Sequence, residues 1–147
     1  MTKTAKTEKP ARELAIIAAQ AADEKKATDI MVQEVTELIG VTDYFIIATA
    51  SNDRQVEAIV DAIEEDLRVK GGAKPLHRED SDRKWMLLDY GNIVVHVFQP
   101  EAREHYRLED LWNDAPVMDL ATEAGLTDVE YSERIAKLLA EAKASLA

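Results

Sequence analysis

Cysteine is absent from all 147 residues, so the chain offers no disulfide, no thiolate nucleophile and no cysteine zinc site. Positive charge is scarce as well. Eighteen Lys and Arg stand against 29 Asp and Glu, a formal net charge of -11 with a pI near 4.7. Binding along a nucleic-acid backbone needs stripes of Lys and Arg that release counterions, so this balance argues against it and fits a basic protein partner better. No apolar run is long enough to span a bilayer. Met1 to Lys9 is Thr- and Lys-rich with no hydrophobic stretch behind it, which argues against a secretory signal. The expectation is a soluble, cytoplasmic protein with no membrane partner, and the length suits a single domain with tails.

Catalytic signatures are missing too. His77, His96 and His105 share no HxxxH or HExxH spacing, and a lone strand histidine such as His96 is more often a satisfied core group than a ligand. A hydrogen bond from His96 to a carboxylate, Asp89 or Asp43, would satisfy it. Ser51 lies in Ala-Ser-Asn rather than GxSxG, and neither a P-loop nor a dinucleotide fingerprint occurs. Gly71-Gly72 followed by Asp80-Ser81-Asp82 resembles the Gly-rich turn and acid pair with which nucleotidyltransferases hold metal and triphosphate. That chemistry sets its acids on a strand among apolar residues, whereas Ser81 and Arg83 make this stretch a solvated loop. No catalytic residue, metal or cofactor is expected.

What is present centres on Trp85 to Phe98, where two apolar runs flank Gly91-Asn92, a pair able to close a two-residue hairpin. The implied register pairs Tyr90 with Ile93, Asp89 with Val94, Leu88 with Val95, Leu87 with His96, Met86 with Val97 and Trp85 with Phe98. Strand side chains alternate between faces, so Met86, Leu88, Tyr90, Ile93, Val95 and Val97 share a core face. The other face carries Trp85, Leu87, Asp89, Val94, His96 and Phe98. Such a mixed face suits either a helix-covered sheet or a partly open surface for a partner, with Trp85 and Phe98 expected to reach the surface at the hairpin's open end.

Around the hairpin, the pattern predicts a mobile arm over Met1 to Lys9 and, from Pro10, a helix with the stripe Leu14, Ile17, Ala18, Ala21 and Lys25. Asp29 to Val35 reads as a strand, Thr36 to Thr42 as a connection, and Tyr44 to Thr49 as an interior strand. Asn52 with Gln55 makes a capping box for a helix buried through Val56, Ile59, Val60, Ile63 and Leu67 and stopped at Gly71-Gly72. A short strand is expected near Leu76 and His77, then a loop over Arg78 to Lys84. Pro100 opens a helix carrying Tyr106, Leu108, Leu111 and Trp112 up to Ala115-Pro116. A last helix, capped by Thr127 or Asp128, carries Tyr131, Ile135, Leu138, Ala142 and Leu146; it can pack on the domain, pair with a second chain, or stay half-formed. The order of elements implies an α/β fold with a mixed sheet of about five strands.

Aromatics are few, and Trp85, Tyr106 and Trp112 sit at element ends with Arg103, Glu109 and Asp110 nearby. They fit interface anchors with a charged rim, or plugs at the edge of a core. The same residues carry a resemblance. Ala27-Thr28-Asp29-Ile30, Thr42 to Thr49, Ser51-Asn52 with Arg54-Gln55-Val56, Trp85, Leu87 to Phe98, Arg103, Tyr106, Leu108-Glu109 and Leu111-Trp112 together resemble the ribosomal silencing factor, or Iojap-like, family. The resemblance spans residues 10–120, with a tail at 121–147 outside it, and departs at Asn92 and at Asp80, where the family usually has Asp and Gly.

The resemblance implies a nucleotidyltransferase-like fold without the catalytic acids. It implies binding to the large ribosomal subunit through universal large-subunit protein fourteen, blocking subunit joining so that translation is held down under starvation. The implied contact residues are Trp85, Tyr106 and Glu109, with Leu108 and Trp112 as neighbours and Asp89 and His96 on the same hairpin face. The alternatives are a homodimeric scaffold using the tail or the mixed face, and an active nucleotidyltransferase.

Overall fold

A computed structural model describes residues 8–146, apart from the side chains of residues 38, 39 and 143–146. In chain order its elements are α1 (Ala11–Glu24), β1 (Thr28–Glu34), α2 (Thr36–Ile39), β2 (Tyr44–Thr49), α3 (Asp53–Val69) and β3 (His77–Ser81). There follow β4 (Trp85–Asp89), β5 (Ile93–Phe98), α4 (Pro100–Tyr106), α5 (Leu108–Leu111), α6 (Leu120–Ala124) and α7 (Glu133–Leu146). The five strands form one mixed sheet in the order β1-β2-β5-β4-β3, with β2 parallel to β5 and the other neighbours antiparallel. The mixed α/β sheet flanked by helices, with a helix at its C-terminal end, is the expected fold class. The arm expected over Met1 to Lys9 lies outside the described residues as far as residue 7.

The hairpin closes in the expected register, from Trp85 opposite Phe98 to Asp89 opposite Val94, and the Tyr90 N–H donates to Ile93 O at 2.9 Å. Gly91 supplies the turn's left-handed backbone at φ 88°, a conformation glycine adopts without steric cost. Met86, Leu88, Tyr90, Ile93, Val95 and Val97 join the main core, closed over by α1 and α3. In α1 the buried residues after Leu14 are all alanines, small enough to bring the helix down onto the sheet and α3.

The α3 stripe is buried as expected: Val56, Ile59, Val60, Ile63 and Leu67. Its cap is a variant of the expected box. Asn52 Oδ1 accepts from Gln55 N at 2.8 Å, but the Gln55 carbonyl reaches Ser51 N rather than Asn52 N, at 2.7 Å. The Gln55 amide also donates to Lys25 O and Lys26 O, so one side chain ties the start of α3 to the end of α1. Gly71, which follows α3, is buried where a Cβ would fall 2.6 Å from Leu14 Cδ2, so it is a packing glycine rather than part of a phosphate loop.

Four expectations need correction. Arg78 to Ser81, expected as loop, continues β3, paired with β4 from His77–Asp89 to Ser81–Trp85. It is an edge strand exposed on every residue, so polar side chains cost nothing there and the backbone ladder decides. The helix after Pro100 is two helices, because Arg107 at φ 44° breaks it into α4 and α5. Residues 36–39 of the first connection form the single turn α2, ended by Gly40 at φ 82°. The last helix begins at Glu133 rather than near Thr127, and the Leu146 side chain lies outside those described.

Candidate functional site

The second face of the hairpin is half covered. Phe98 and His96 are buried, Phe98 fully, whereas Trp85, Leu87, Asp89 and Val94 are only partly so. Phe98, expected at the surface, is therefore sealed. A second apolar cluster on this face joins it to Met31, Val35, Phe45, Ile47, Ala115 and Ile135, with Leu108, Trp112 and Leu138 packed alongside.

Across this face runs a band of rings. Tyr106 lies 4.8 Å from Trp85 by ring centroids, Trp85 stacks on Phe98 at 4.9 Å, His96 meets Phe45 edge-on at 4.9 Å, and Phe45 reaches Trp112 at 6.4 Å. The band is buried in the middle and open at its ends. Tyr106 is 51% exposed, Trp85 and Trp112 are partly exposed, and Leu111 in α5 is 67% exposed. Leu111, expected among the apolar residues of one helix, instead closes the short α5 that follows the break at Arg107 and faces solvent. Leu76 and Val41, both strongly exposed, line a shallow groove at the turn end of the same face with Phe45, Leu87, Val94 and His96.

His96 is held by Trp85, not by a carboxylate. The indole Nε1–H donates to His96 Nδ1 at 3.1 Å, which places the imidazole proton on Nε2. Asp89 instead accepts from Gly91 N at 2.8 Å, and Asp43 from the Thr36 hydroxyl at 3.1 Å. Burial pushes the His96 pKa down to about 3, with the Arg103 charge adding to the effect. Its folded pKa is below the unfolded value near 6.5, so stability is complete above that pH and falls as acid is added toward pH 3. Between pH 7 and pH 5 this group should remove about 2 kcal/mol. Urea unfolding of His96→Asn, which keeps an acceptor near the Nδ1 position, is expected to show a pH dependence flatter than wild type by that amount. Parallel pH profiles would contradict the assignment.

Glu109 occupies a different place from the rest. It is 0% exposed, and its carboxylate accepts from Arg103 Nε at 2.9 Å and from Arg134 Nη2 at 2.5 Å, while its backbone carbonyl accepts from the Gln33 amide at 2.9 Å. Arg103, 2% exposed, also donates to Asp29 O and the Thr49 hydroxyl. Burial pulls the Arg103 pKa down, opposed by the charge and hydrogen bond of Glu109. A buried guanidinium needs such a partner, so the pair is structural in its geometry. Of the residues expected to form a contact surface, the fold brings Trp85 and Tyr106 together at one end of the band and Trp112 to its other end, with Leu108 packed against the same apolar cluster. Asp89 lies toward the hairpin turn, and His96 and Glu109 lie beneath.

Asp80 accepts from Arg83 N at 2.7 Å within a tight turn, and among the described residues no group of three or more His, Asp or Glu is placed to hold a metal ion. No described helix is long and apolar enough to cross a membrane.

Comparison with known proteins gives this surface a context. The family model described as "Ribosomal silencing factor during starvation" matches residues 8–145, which carries the similarity past residue 120 into α7. The chain is 39% identical over 104 residues to the ribosomal silencing factor RsfS of Bacillus subtilis, covering 71% of this chain and 88% of that protein. It is 39% identical over 106 residues to the chloroplastic protein Iojap of Zea mays, covering 72% of this chain and 46% of that longer protein. A crystal structure of a protein from Chromobacterium violaceum superposes with a TM-score of 0.68 at 30% identity, covering 71% of this chain and 87% of that one.

Proposed function

Because the chain belongs to the ribosomal silencing factor family, we propose that it binds the large ribosomal subunit through universal large-subunit protein fourteen and so blocks joining of the small subunit. The action is steric, in the cytoplasm, and represses translation when nutrients are short. No bond is made or broken.

The observation that carries this reading is the open end of the aromatic band, where Trp85 of the hairpin and Tyr106 at the end of α4 lie 4.8 Å apart, Trp85 partly exposed and Tyr106 half exposed. Preformed aromatic anchors with a polar rim are what tight protein contacts use, and they cost little side-chain entropy on binding. Leu108, Trp112 and the exposed Leu111 extend the surface, and Asp89 lies on the same face. Glu109 and His96 serve from below, one holding α5 and the other fixing the Trp85 indole. The net charge of -11 suits a basic ribosomal protein and speeds encounter more than it strengthens the final contact.

Sucrose-gradient analysis of subunit joining tests the reading. Large subunits preincubated with a stoichiometric amount of the protein are expected to form far fewer joined ribosomes on addition of small subunits. Undiminished joining with the protein bound would leave a binding activity without the block.

A further inference from the structure

The surface just proposed rests on short pieces of helix. With four residues in α5 and seven in α4, separated by a left-handed Arg107, neither can hold its own geometry, because a helix this short does not repay the cost of its first turn. Something outside the segment fixes the angle between them.

That something is α7. Arg134 Nε donates to Glu104 Oε2 at 2.8 Å, Nη2 donates to Glu109 Oε2 at 2.5 Å, and Nη1 lies 3.7 Å from Asp110 Oδ1. One planar guanidinium thereby joins a carboxylate of α4 to two carboxylates of α5, on opposite sides of the Arg107 break. Tyr106 is the last residue of α4, and Leu108 opens α5, so the bridge spans the point where the contact surface bends.

A second set of bonds sets where α7 begins. Asp29 sits in a β1 bulge at φ 50°; its side chain accepts from Ser132 N at 2.7 Å, and its own N–H donates to Glu130 O at 2.9 Å. Its carbonyl accepts from Arg103 Nη1 at 2.9 Å, so the entry to α7 and the far side of Glu109 are held from one residue. The Tyr131 hydroxyl donates to Ile30 O at 2.7 Å, and Ile135 is fully buried. The register of α7 is therefore fixed at the position just before Arg134.

Resting on the silencing-factor reading, we propose that Arg134 is a positioning residue for ribosomal-protein binding and that the C-terminal helix is a clamp setting the relative placement of Tyr106, Leu108 and Trp112. The clamp acts through Glu104 and Glu109 without touching the partner. Lysine replaces it only in part, since a single ammonium is a point charge that does not present a planar fork to three carboxylates.

The test uses the full chain. Arg134→Ala is expected to fold cooperatively, yet to bind isolated large ribosomal subunits at least tenfold more weakly than wild type, with Arg134→Lys between the two. Val60→Ala, in the core on the opposite sheet face, should lower the urea midpoint and leave subunit affinity within about twofold, because lost stability alone does not weaken binding of a protein that stays folded. In a Trp85→Phe background, Trp112 is the single tryptophan, and Arg134→Ala should shift its emission to the red and raise acrylamide quenching. Unchanged Trp112 emission overturns the clamp, whether or not the subunit binds. So does wild-type affinity in Arg134→Ala, or an affinity loss in Val60→Ala that matches its loss of stability. If wild type itself fails to bind while Trp112 emission still responds to Arg134, the silencing reading falls and the clamp stands as a property of the fold. Should Arg134→Ala not fold, Arg134→Lys carries the same comparisons.

Discussion

Tyr106→Ala is expected to weaken binding to isolated large ribosomal subunits by roughly thirtyfold, about 2 kcal/mol, with the fold intact. Half of Tyr106 already faces solvent, so its truncation removes little from the core. Trp85→Ala should cost at least as much affinity, and its interpretation needs more care. The indole stacks on Phe98 and donates to His96, so alanine also uncovers a core phenylalanine and leaves a buried imidazole without that donor. Trp85→Phe separates the two effects by keeping a ring on Phe98 while removing the N–H. Co-sedimentation of folded variants measures all three. Affinity within a factor of two of wild type for Tyr106→Ala and Trp85→Phe together would remove this surface from the contact.

The largest expected loss of stability lies under that surface. Glu109→Gln should destabilise the protein by about 3–5 kcal/mol, because it leaves two guanidinium groups converging on a neutral amide in the interior. The total stability of a domain is typically about 5–15 kcal/mol, so the variant should be near the limit of folding. Surface pairs nearby predict the contrast. Arg107 with Glu104, both about half exposed, forms an ion pair at 3.0 Å whose removal should change stability by less than about 1 kcal/mol. Urea unfolding of Glu109→Gln beside Arg107→Ala checks both, and a loss of less than about 1 kcal/mol for Glu109→Gln would mean that water reaches the site.

The hairpin was legible to the residue because two local signals agree there: the alternation of apolar side chains and a turn pair in which Gly91 can take a positive φ. Helix α3 was legible for the same reason, its stripe and its Asn52 cap pointing to one boundary. What stayed hidden is non-local. Glu109 reads as a surface charge, since Arg103 six residues before it and Arg134 twenty-five residues after it reach it only in the folded chain. Phe98 reads as a hairpin end open to solvent until Ile135 of α7 joins its cluster. β3 hid because an edge strand with two wet faces has no hydrophobic period to display. The break at Arg107 hid because a non-glycine residue takes a left-handed backbone there, a choice made by the packing around it rather than by its own preference.

Under the proposed function, this chain recognises one ribosomal protein through the open end of its aromatic band. Calorimetric titration of purified universal large-subunit protein fourteen into the full chain tests it most directly. Saturable one-to-one binding is expected, weakened by Tyr106→Ala by roughly the same factor as binding to whole subunits. Absence of binding to the isolated protein, under conditions where the chain still pellets with large subunits, would contradict it and place the contact elsewhere on the ribosome.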